Sequence, residues 1–307
     1  MILITEFMDE DAVARLKAAH PTTYAPELAD QQDDIPALMA GVQVLIVRNR
    51  TQVTEALVQS APDLKMVGRL GVGLDNIDLV ACKAQDVIVC PAVGANTLSV
   101  AEYVLTNAAI LLRDAYQARA RMLAGEWPRG DCSGREVAGR CLGLVGFGEI
   151  ARVTAQLAQA MGMKTCAYDP FLPSDSPLWK GTEQRDLEGV LGGSDVISLH
   201  VPLTDATRHI INADRLAMMQ SGAVLINAAR GGTVDEAALA AALQGGQIAG
   251  AALDVFETEP LTQEAARIFD GLQNLILTPH IAGVTVDSNI RVSAMIADLA
   301  LEQLSQE

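Results

Sequence analysis

Short apolar runs alternate along this chain with longer segments in which apolar residues recur at helical spacing. In residues 1–95 this pattern predicts strands at 2–4, 23–24, 42–47, 65–70 and 87–89, and helices at 9–19, 54–60 and 75–81. A repeated strand–helix order predicts a parallel sheet with helices on both faces. Right-handed crossovers between parallel strands then make the unit doubly wound.

A second series of the same kind fills residues 141–279. It predicts strands at 141–145, 164–168, 195–199, 223–227, 249–253 and 275–278, and helices at 149–161, 186–192, 212–219 and 234–244. Six strands with intervening helices are typical of a complete Rossmann dinucleotide-binding domain. The sequence therefore predicts an α/β protein built from two doubly wound domains.

Two long helical patterns lie outside these series. Residues 97 to about 123 contain neither Gly nor Pro, so we interpret 97–124 as a helix that connects the domains and serves as a dimer arm. The tail at 284–304 is expected to form one helix that returns to the first domain. The expected domains are thus 1–96 plus 284–307 and 97–283.

A glycine turn follows the strand at 141–145. Gly146, Gly148 and Ala151 form the pattern G-x-G-x-x-A at a predicted helix start, and Asp169 ends the next strand. This combination is the dinucleotide fingerprint, in which the pyrophosphate lies on the helix N-terminus. A carboxylate at Asp169 can accept hydrogen bonds from ribose hydroxyls and would repel a 2′-phosphate, which favours NAD over NADP.

Polar residues also follow the later strands, at the edge where such sheets bind ligands. Arg230 can hold a carboxylate through two parallel hydrogen bonds. His280 can transfer a proton, and an acid such as Glu259 can stabilise the imidazolium. Together these groups supply what hydride reduction of a ketone needs. Taken one at a time, each also has a structural interpretation: a surface salt bridge, a packed histidine or a solvated loop acid.

Charge and composition exclude several classes of partner. The net charge of −16 argues against binding to nucleic acid or an anionic membrane, since both need a basic surface. The five cysteines show no C-x-x-C spacing, so no disulfide framework or metal site is expected. No signal peptide or membrane-length apolar run is apparent, and a cytoplasmic location is expected.

The chain resembles the D-2-hydroxyacid dehydrogenase family over nearly its whole length. The segments that carry this resemblance are 68–78, 96–102, 227–236, 253–260 and 278–283. The resemblance implies a Rossmann NAD-binding domain and a discontinuous flavodoxin-like substrate domain, which hinge near Asn96 and Gly283. It also implies NAD-dependent interconversion of a 2-hydroxy acid and its 2-oxo acid, and a homodimer formed through the NAD domains.

The resemblance also assigns site residues. It implies that Arg230 binds the substrate, that Glu259 pairs with His280 as general acid/base, and that the backbone at Val72 and Gly73 holds the substrate carboxylate. The implied cofactor contacts are Thr97, Gly146, Gly148, Glu149, Ile150, Asp169, His200, Val201, Pro202, Thr207, Ala228, Ala229, Arg230, Asp254, His280 and Gly283. Glu149 departs from the family, which often carries arginine there, so the phosphate contacts should come from backbone.

The substrate and one alternative function stay open at this point. Arg48 and Arg50 follow the strand at 42–47, and either could bind a second anionic group on the substrate, such as a phosphate, sulfonate or carboxylate. The same fold also serves NADH-sensing co-repressors, so a binding protein without significant turnover is the alternative. Formate dehydrogenases are expected to pair their histidine with glutamine, and Glu259 argues against them.

Overall fold

The computed structural model describes residues 1–114 and 118–305. The chain divides into two units, the first formed by Met1–Asn96 with Val284–Glu307 and the second by Thr97–Gly283.

The first unit contains a five-stranded parallel sheet. Its strands are β1 (Ile2–Ile4), β2 (Thr22–Tyr24), β3 (Val44–Val47), β4 (Met66–Arg69) and β5 (Ile88–Pro91), in the order β2-β1-β3-β4-β5. This order is that of flavodoxin-like folds.

Helices cover both faces of this sheet. They are α1 (Glu10–Ala19), α2 (Ile35–Leu38), α3 (Glu55–Gln59), α4 (Leu79–Ala84) and the C-terminal α12 (Val286–Ser305). Helices α1 and α12 pack on one face through Leu16 and Ile296, and α3 and α4 pack on the other through Leu57 and Cys82. The helix predicted at 75–81 begins later, because Asp78 caps α4 by accepting from the N–H groups of Val80 and Ala81.

The second unit contains a seven-stranded parallel sheet. Its strands are β6 (Cys141–Val145), β7 (Lys164–Tyr168), β8 (Glu183–Gln184), β9 (Val196–Leu199), β10 (Val224–Asn227), β11 (Gly250–Leu253) and β12 (Leu275–Leu277). The order β12-β11-β10-β9-β6-β7-β8 is the Rossmann order with one further strand at the β12 edge. Strand β8 was not predicted, because two residues carry no periodicity.

The described part of the second unit contains the helices α5 (Thr97–Arg113), α6 (Arg119–Leu123), α7 (Glu149–Ala160), α8 (Leu187–Gly193), α9 (Ala213–Met218), α10 (Glu236–Gln244) and α11 (Gln263–Ala266). Five of these helices cover the two faces of the sheet. Helices α5 and α7 bury Val104 and Ala155 on one face, whereas α8 to α10 bury Leu191, Leu216 and Leu239 on the other. The predicted α/β fold with two doubly wound sheets is confirmed.

The single helix predicted over 97–124 is wrong. Helix α5 ends at Arg113, and Asp114 adopts a left-handed backbone conformation with φ +50°. Aspartate tolerates this conformation better than most residues, so it can terminate a helix without glycine. A separate helix, α6, begins at Arg119, and residues 115–117 lie outside the described part of the chain.

Strand register places the predicted functional segments at one edge of the second sheet. Val145 pairs with Tyr168 and with Leu199, Leu199 with Asn227, and Leu253 with both Asn227 and Leu277. The residues that follow these strand ends are therefore neighbours along one carboxyl edge. Among the described residues, no helix combines the length and the apolar character needed to cross a membrane.

Candidate active site

The turn between β6 and α7 depends on glycine. Gly146 has φ +90°, and a Cβ there would lie 2.8 Å from the carbonyl oxygen of His200. Gly148 caps α7 in an extended conformation, and a Cβ there would meet no atom within 4 Å. The backbone therefore leaves open space at the start of a twelve-residue helix, where the N–H groups and the helix dipole favour an anion.

Asp169 lies beside this turn. Its Oδ2 accepts from the N–H of Phe147 at 2.9 Å, and its Oδ1 accepts from the N–H of Phe171 at 2.9 Å. The carboxylate is thus fixed at the end of β7, and each oxygen keeps a second acceptor position. This geometry fits hydrogen bonds to the two hydroxyls of an adenosine ribose.

The acid inside the glycine turn is directed away from the core. Glu149 is exposed, and its Oε1 accepts from the hydroxyl of Thr97 at 3.4 Å. A carboxylate has no donor for a phosphate oxygen, so the anion site rests on backbone groups. Ile150 follows it in the first turn of α7.

The loop after β9 contains a neutral histidine. Burial lowers the pKa of His200 to about 4, and its Nε2 lies 3.0 Å from the hydroxyl oxygen of Ser198. The Thr207 hydroxyl donates to the carbonyl of Pro202 at 2.6 Å and accepts from the N–H of Thr204, which closes the turn that follows Val201. His200 is therefore unsuited to acid–base work near pH 7.

The turn after β10 positions Arg230. The Asn227 amide accepts from the N–H of Ala229 and donates to the carbonyl of Arg230 and to the hydroxyl of Thr233. Thr233 donates to the same Arg230 carbonyl at 2.7 Å. The guanidinium donates to the carbonyl of Ala229, next to Ala228. A buried amide and hydroxyl thus hold the backbone that carries the guanidinium.

His280 and Glu259 form a direct pair. The His280 Nδ1 lies 2.7 Å from Glu259 Oε2, while Glu259 Oε1 accepts from the N–H of Phe256 at 3.0 Å. Burial raises the pKa of Glu259, but the bonds from His280 and Phe256 and the charges of His280 and Arg230 outweigh it and lower that pKa. An ionised carboxylate only accepts, so His280 Nδ1 carries a proton, and in the neutral form of the ring Nε2 is the acceptor.

Asp254 organises the loop that carries His280. Its buried carboxylate accepts from the Thr278 hydroxyl at 2.6 Å, from the Ile281 N–H at 2.8 Å and from the Ala282 N–H at 2.7 Å. The Tyr103 hydroxyl lies 2.6 Å from the Thr278 hydroxyl oxygen, and burial raises the pKa of Tyr103 to about 12. These contacts hold His280 at φ +55°, a conformation that favours glycine. Gly283, in the same loop, is the last residue of the second unit.

A buried acid organises the first unit at its own carboxyl edge. Glu6 is 3% exposed, and its carboxylate accepts from the N–H groups of the loop 48–51. Asn76, in the loop that follows Val72 and Gly73, donates to the carbonyls of Arg48 and Thr51. The loops expected to contact substrate are therefore tied together.

The two arginines of this loop differ in their surroundings. Arg50 is exposed and pairs with Asp30. Arg48 is half-buried and donates to the amide oxygen of Asn289 at 2.9 Å. Burial lowers the pKa of Arg48, against the charge of Glu6. A bound anion would offset that burial, so Arg48 is the better candidate for an anion contact.

Some functional groups were not anticipated from the sequence. Glu6, Asn76, Tyr103, Asn227 and Thr278 support the predicted site through hydrogen bonds. Most of these contacts join residues far apart in the chain, such as Glu6 with residues 48–51 and Tyr103 with Thr278. Only Asn227 gave a local signal, as a buried polar residue at the end of an apolar strand.

Known proteins resemble this chain throughout. Residues 105–282 match the NAD binding domain of the D-isomer specific 2-hydroxyacid dehydrogenases. An (S)-sulfolactate dehydrogenase of Chromohalobacter salexigens is 52% identical over 298 residues, 97% of this chain and 96% of that protein. A hydroxypyruvate reductase of Thermotoga maritima is 39% identical over 89% of each chain.

A solved structure agrees with these sequence matches. The D-lactate dehydrogenase of Aquifex aeolicus, in complex with NAD and lactic acid, superimposes with a TM-score of 0.84 at 30% identity, covering 100% of this chain and 98% of that one. These relatives are enzymes, which disfavours the co-repressor alternative. The chain belongs to the D-isomer specific 2-hydroxyacid dehydrogenase family and is an NAD-dependent dehydrogenase of 2-hydroxy acids.

Proposed function

We propose that Arg230, Glu259 and His280 are the catalytic residues. The observation that carries this proposal is the 2.7 Å contact between His280 Nδ1 and Glu259 Oε2. NAD, when bound, accepts a hydride from C2 of the hydroxy acid. His280 Nε2 takes the hydroxyl proton in oxidation and returns it in reduction. Glu259 holds the ring in the required tautomer and stabilises the imidazolium.

Arg230 orients the substrate in this proposal. Its planar guanidinium binds the substrate carboxylate and carbonyl oxygen, which fixes C2 relative to the imidazole. The backbone N–H groups of Val72 and Gly73 supply further donors to the carboxylate. The backbone at Gly146, Gly148 and Ile150 would hold the pyrophosphate, and Asp169 the ribose.

The remaining expected cofactor contacts stay part of the proposal. Residues of the loops after the later strands would border the nicotinamide half, whereas Asp254 contributes through the His280 loop it holds. These expected contacts are Thr97, Glu149, His200, Val201, Pro202, Thr207, Ala228, Ala229 and Gly283.

We further propose that the substrate carries a 3-sulfonate bound by Arg48. The similarity to an (S)-sulfolactate dehydrogenase supports this substrate, and so does the half-buried guanidinium of Arg48. A sulfonate is a fully ionised anion that a guanidinium can bind with two parallel hydrogen bonds. Arg50 pairs with Asp30 and takes no part in this proposed contact.

The stereochemistry of this substrate agrees with the family. In lactate the carboxylate outranks the methyl group, but in sulfolactate the sulfur-bearing carbon outranks the carboxylate. The same spatial arrangement therefore changes its label from R to S. (S)-Sulfolactate has the configuration of D-lactate, as a D-specific site requires.

The experiment measures NADH formation at 340 nm with both enantiomers of sulfolactate, D-lactate, D-glycerate and 3-phosphoglycerate. We expect the highest kcat/KM for (S)-sulfolactate, and a loss on the order of 10³-fold in Arg48→Met, since a paired buried charge is lost. Lactate, which lacks the second anion, should be unaffected by that change. His280→Ala should abolish turnover while NADH still binds, and a variant that keeps most of its turnover would exclude the assigned role.

We also infer a homodimer formed through the second unit. The segment after α5 exposes Leu123 and Trp127 by 74% and 76% of their surface. Clustered apolar side chains of this kind are typical of protein–protein interfaces. Sedimentation equilibrium measures the assembly directly.

A further inference from the structure

A second cluster of ionisable groups lies beside the His280–Glu259 pair. The N–H of Glu257 donates to Glu236 Oε1 at 2.6 Å, and the N–H of Glu236 donates back to Glu257 Oε1 at 3.3 Å. Glu236 is the first residue of α10 and Glu257 lies in the loop after β11. This reciprocal pair therefore joins the start of a helix to the loop that carries Glu259.

His209 completes the cluster. Its Nε2 lies 3.1 Å from Glu257 Oε1, and its backbone N–H donates to the carbonyl of Gly232 at 2.8 Å. His209 has φ +47°, so the cluster holds a conformation that its own residue disfavours. The loop after β9, the Arg230 turn and the Glu259 loop thus meet at Glu257.

The buried side chain of Glu236 lies close to two other acids, Glu257 and Glu259. Glu236 is 7% exposed, and burial together with the charges of Glu257 and Glu259 raises its pKa, against the Glu257 N–H and His209. Within the described part of the chain, the ionisable side chains that act on Glu236 are Glu257, Glu259 and His209. A simple cap would not need an acid here, since Asp235 already caps α10 by accepting from the Ala238 N–H.

We propose that Glu236, through its pair with Glu257, is a positioning residue that fixes Glu259 relative to Arg230 and adds negative charge behind the His280–Glu259 pair. This inference rests on the proposed function, because it assigns a role through those three residues. Glu257, whose N–H donates to Glu236, lies two residues before Glu259 in the chain. Loss of this hydrogen bond would therefore let the Glu259 carboxylate move. Small displacements of a catalytic group are costly for turnover.

The experiment compares Glu236→Ala with Glu236→Gln. Alanine removes the acceptor for the Glu257 N–H, and we expect kcat to fall on the order of 10- to 100-fold, with NADH binding by fluorescence titration unchanged. Glutamine keeps an acceptor oxygen but removes the charge, so kcat at its optimum should recover. Without that charge the imidazolium is less favoured, so the rise of oxidation with pH should move to lower pH.

The matched control is Glu188, an exposed acid in the first turn of α8 behind the aspartate cap Asp186. Glu188→Ala and Glu188→Gln should match the wild type in kcat and in pH profile. The inference is overturned if Glu236→Ala keeps its turnover, or if the Glu236→Gln profile superimposes on that of the wild type. A fall in kcat and Tm together, without a shifted Gln profile, would indicate a merely structural acid and also overturn it. Turnover by His280→Ala would instead contradict the proposed function.

Discussion

Glu149 places a negative charge where a dinucleotide presents its phosphates. An acid in the first turn of α7 stabilises the helix through its dipole, but the same charge repels an anion bound at that end. Among the residues that the structure describes, this exposed side chain accepts one long hydrogen bond, from the hydroxyl of Thr97. Glu149 therefore stabilises the helix and weakens the binding of a phosphate at its N-terminus.

Glu149→Arg should tighten NADH binding by roughly 30-fold. Unit charges 4 Å apart interact by about 1 kcal/mol in water, so turning repulsion into attraction changes the binding free energy by about 2 kcal/mol. Fluorescence titration at low and high salt measures the effect, which should shrink as salt screens the charges. Glu149→Gln should lie between the two. Unchanged or weaker binding by the arginine variant would contradict this account of the phosphate site.

At the scale of elements, the site depends on how closely two loops approach each other. A Cβ on Gly231 would lie 1.7 Å from the carbonyl oxygen of Phe256, in the loop that carries Glu259. Gly231 shows no left-handed conformation, so its requirement is purely steric. The absence of one side chain thus lets the Arg230 turn lie against its neighbour.

Gly231→Ala should separate these two loops. Overpacking of this kind costs about 1–3 kcal/mol or more, and we expect a lower Tm together with a loss of kcat that exceeds the change in cofactor binding. Gly130→Ala, at a position where a Cβ meets nothing within 4 Å, is the matched control and should leave both unchanged. Wild-type turnover by Gly231→Ala would show that the loops tolerate separation.

The sequence predicts features that depend on neighbouring residues, and it misses those that depend on contacts between residues far apart in the chain. Strand ends were predictable because β6 and β7 each end in an apolar run, which placed Gly146 and Asp169. The break after α5 was not, because Asp114 ends the helix through its backbone conformation, without a glycine. Likewise, nothing near Glu6 or Glu236 in the sequence indicates that each accepts hydrogen bonds from a distant loop.

At the scale of the whole molecule, the acidic surface and the apolar segment after α5 have opposite effects on the association of two chains. A net charge of −16 opposes association through general repulsion. Any dimer must therefore rest on local apolar contacts. Met122, Leu123 and Trp127 are exposed by 43%, 74% and 76% and lie within six residues of the chain.

The double variant Leu123→Ser with Trp127→Ser should convert the proposed dimer to a monomer. An aromatic side chain buries roughly 150–250 Å², and apolar burial contributes about 25 cal/mol per Å². The dissociation constant of the dimer should therefore rise on the order of 10³-fold or more. Sedimentation equilibrium should give twice the 32.4 kDa chain mass for the wild type. Val80→Ser, which alters a residue 81% exposed in the first unit, should leave that mass unchanged. A double variant that stays dimeric would place the interface elsewhere, and a monomeric wild type would exclude the dimer itself.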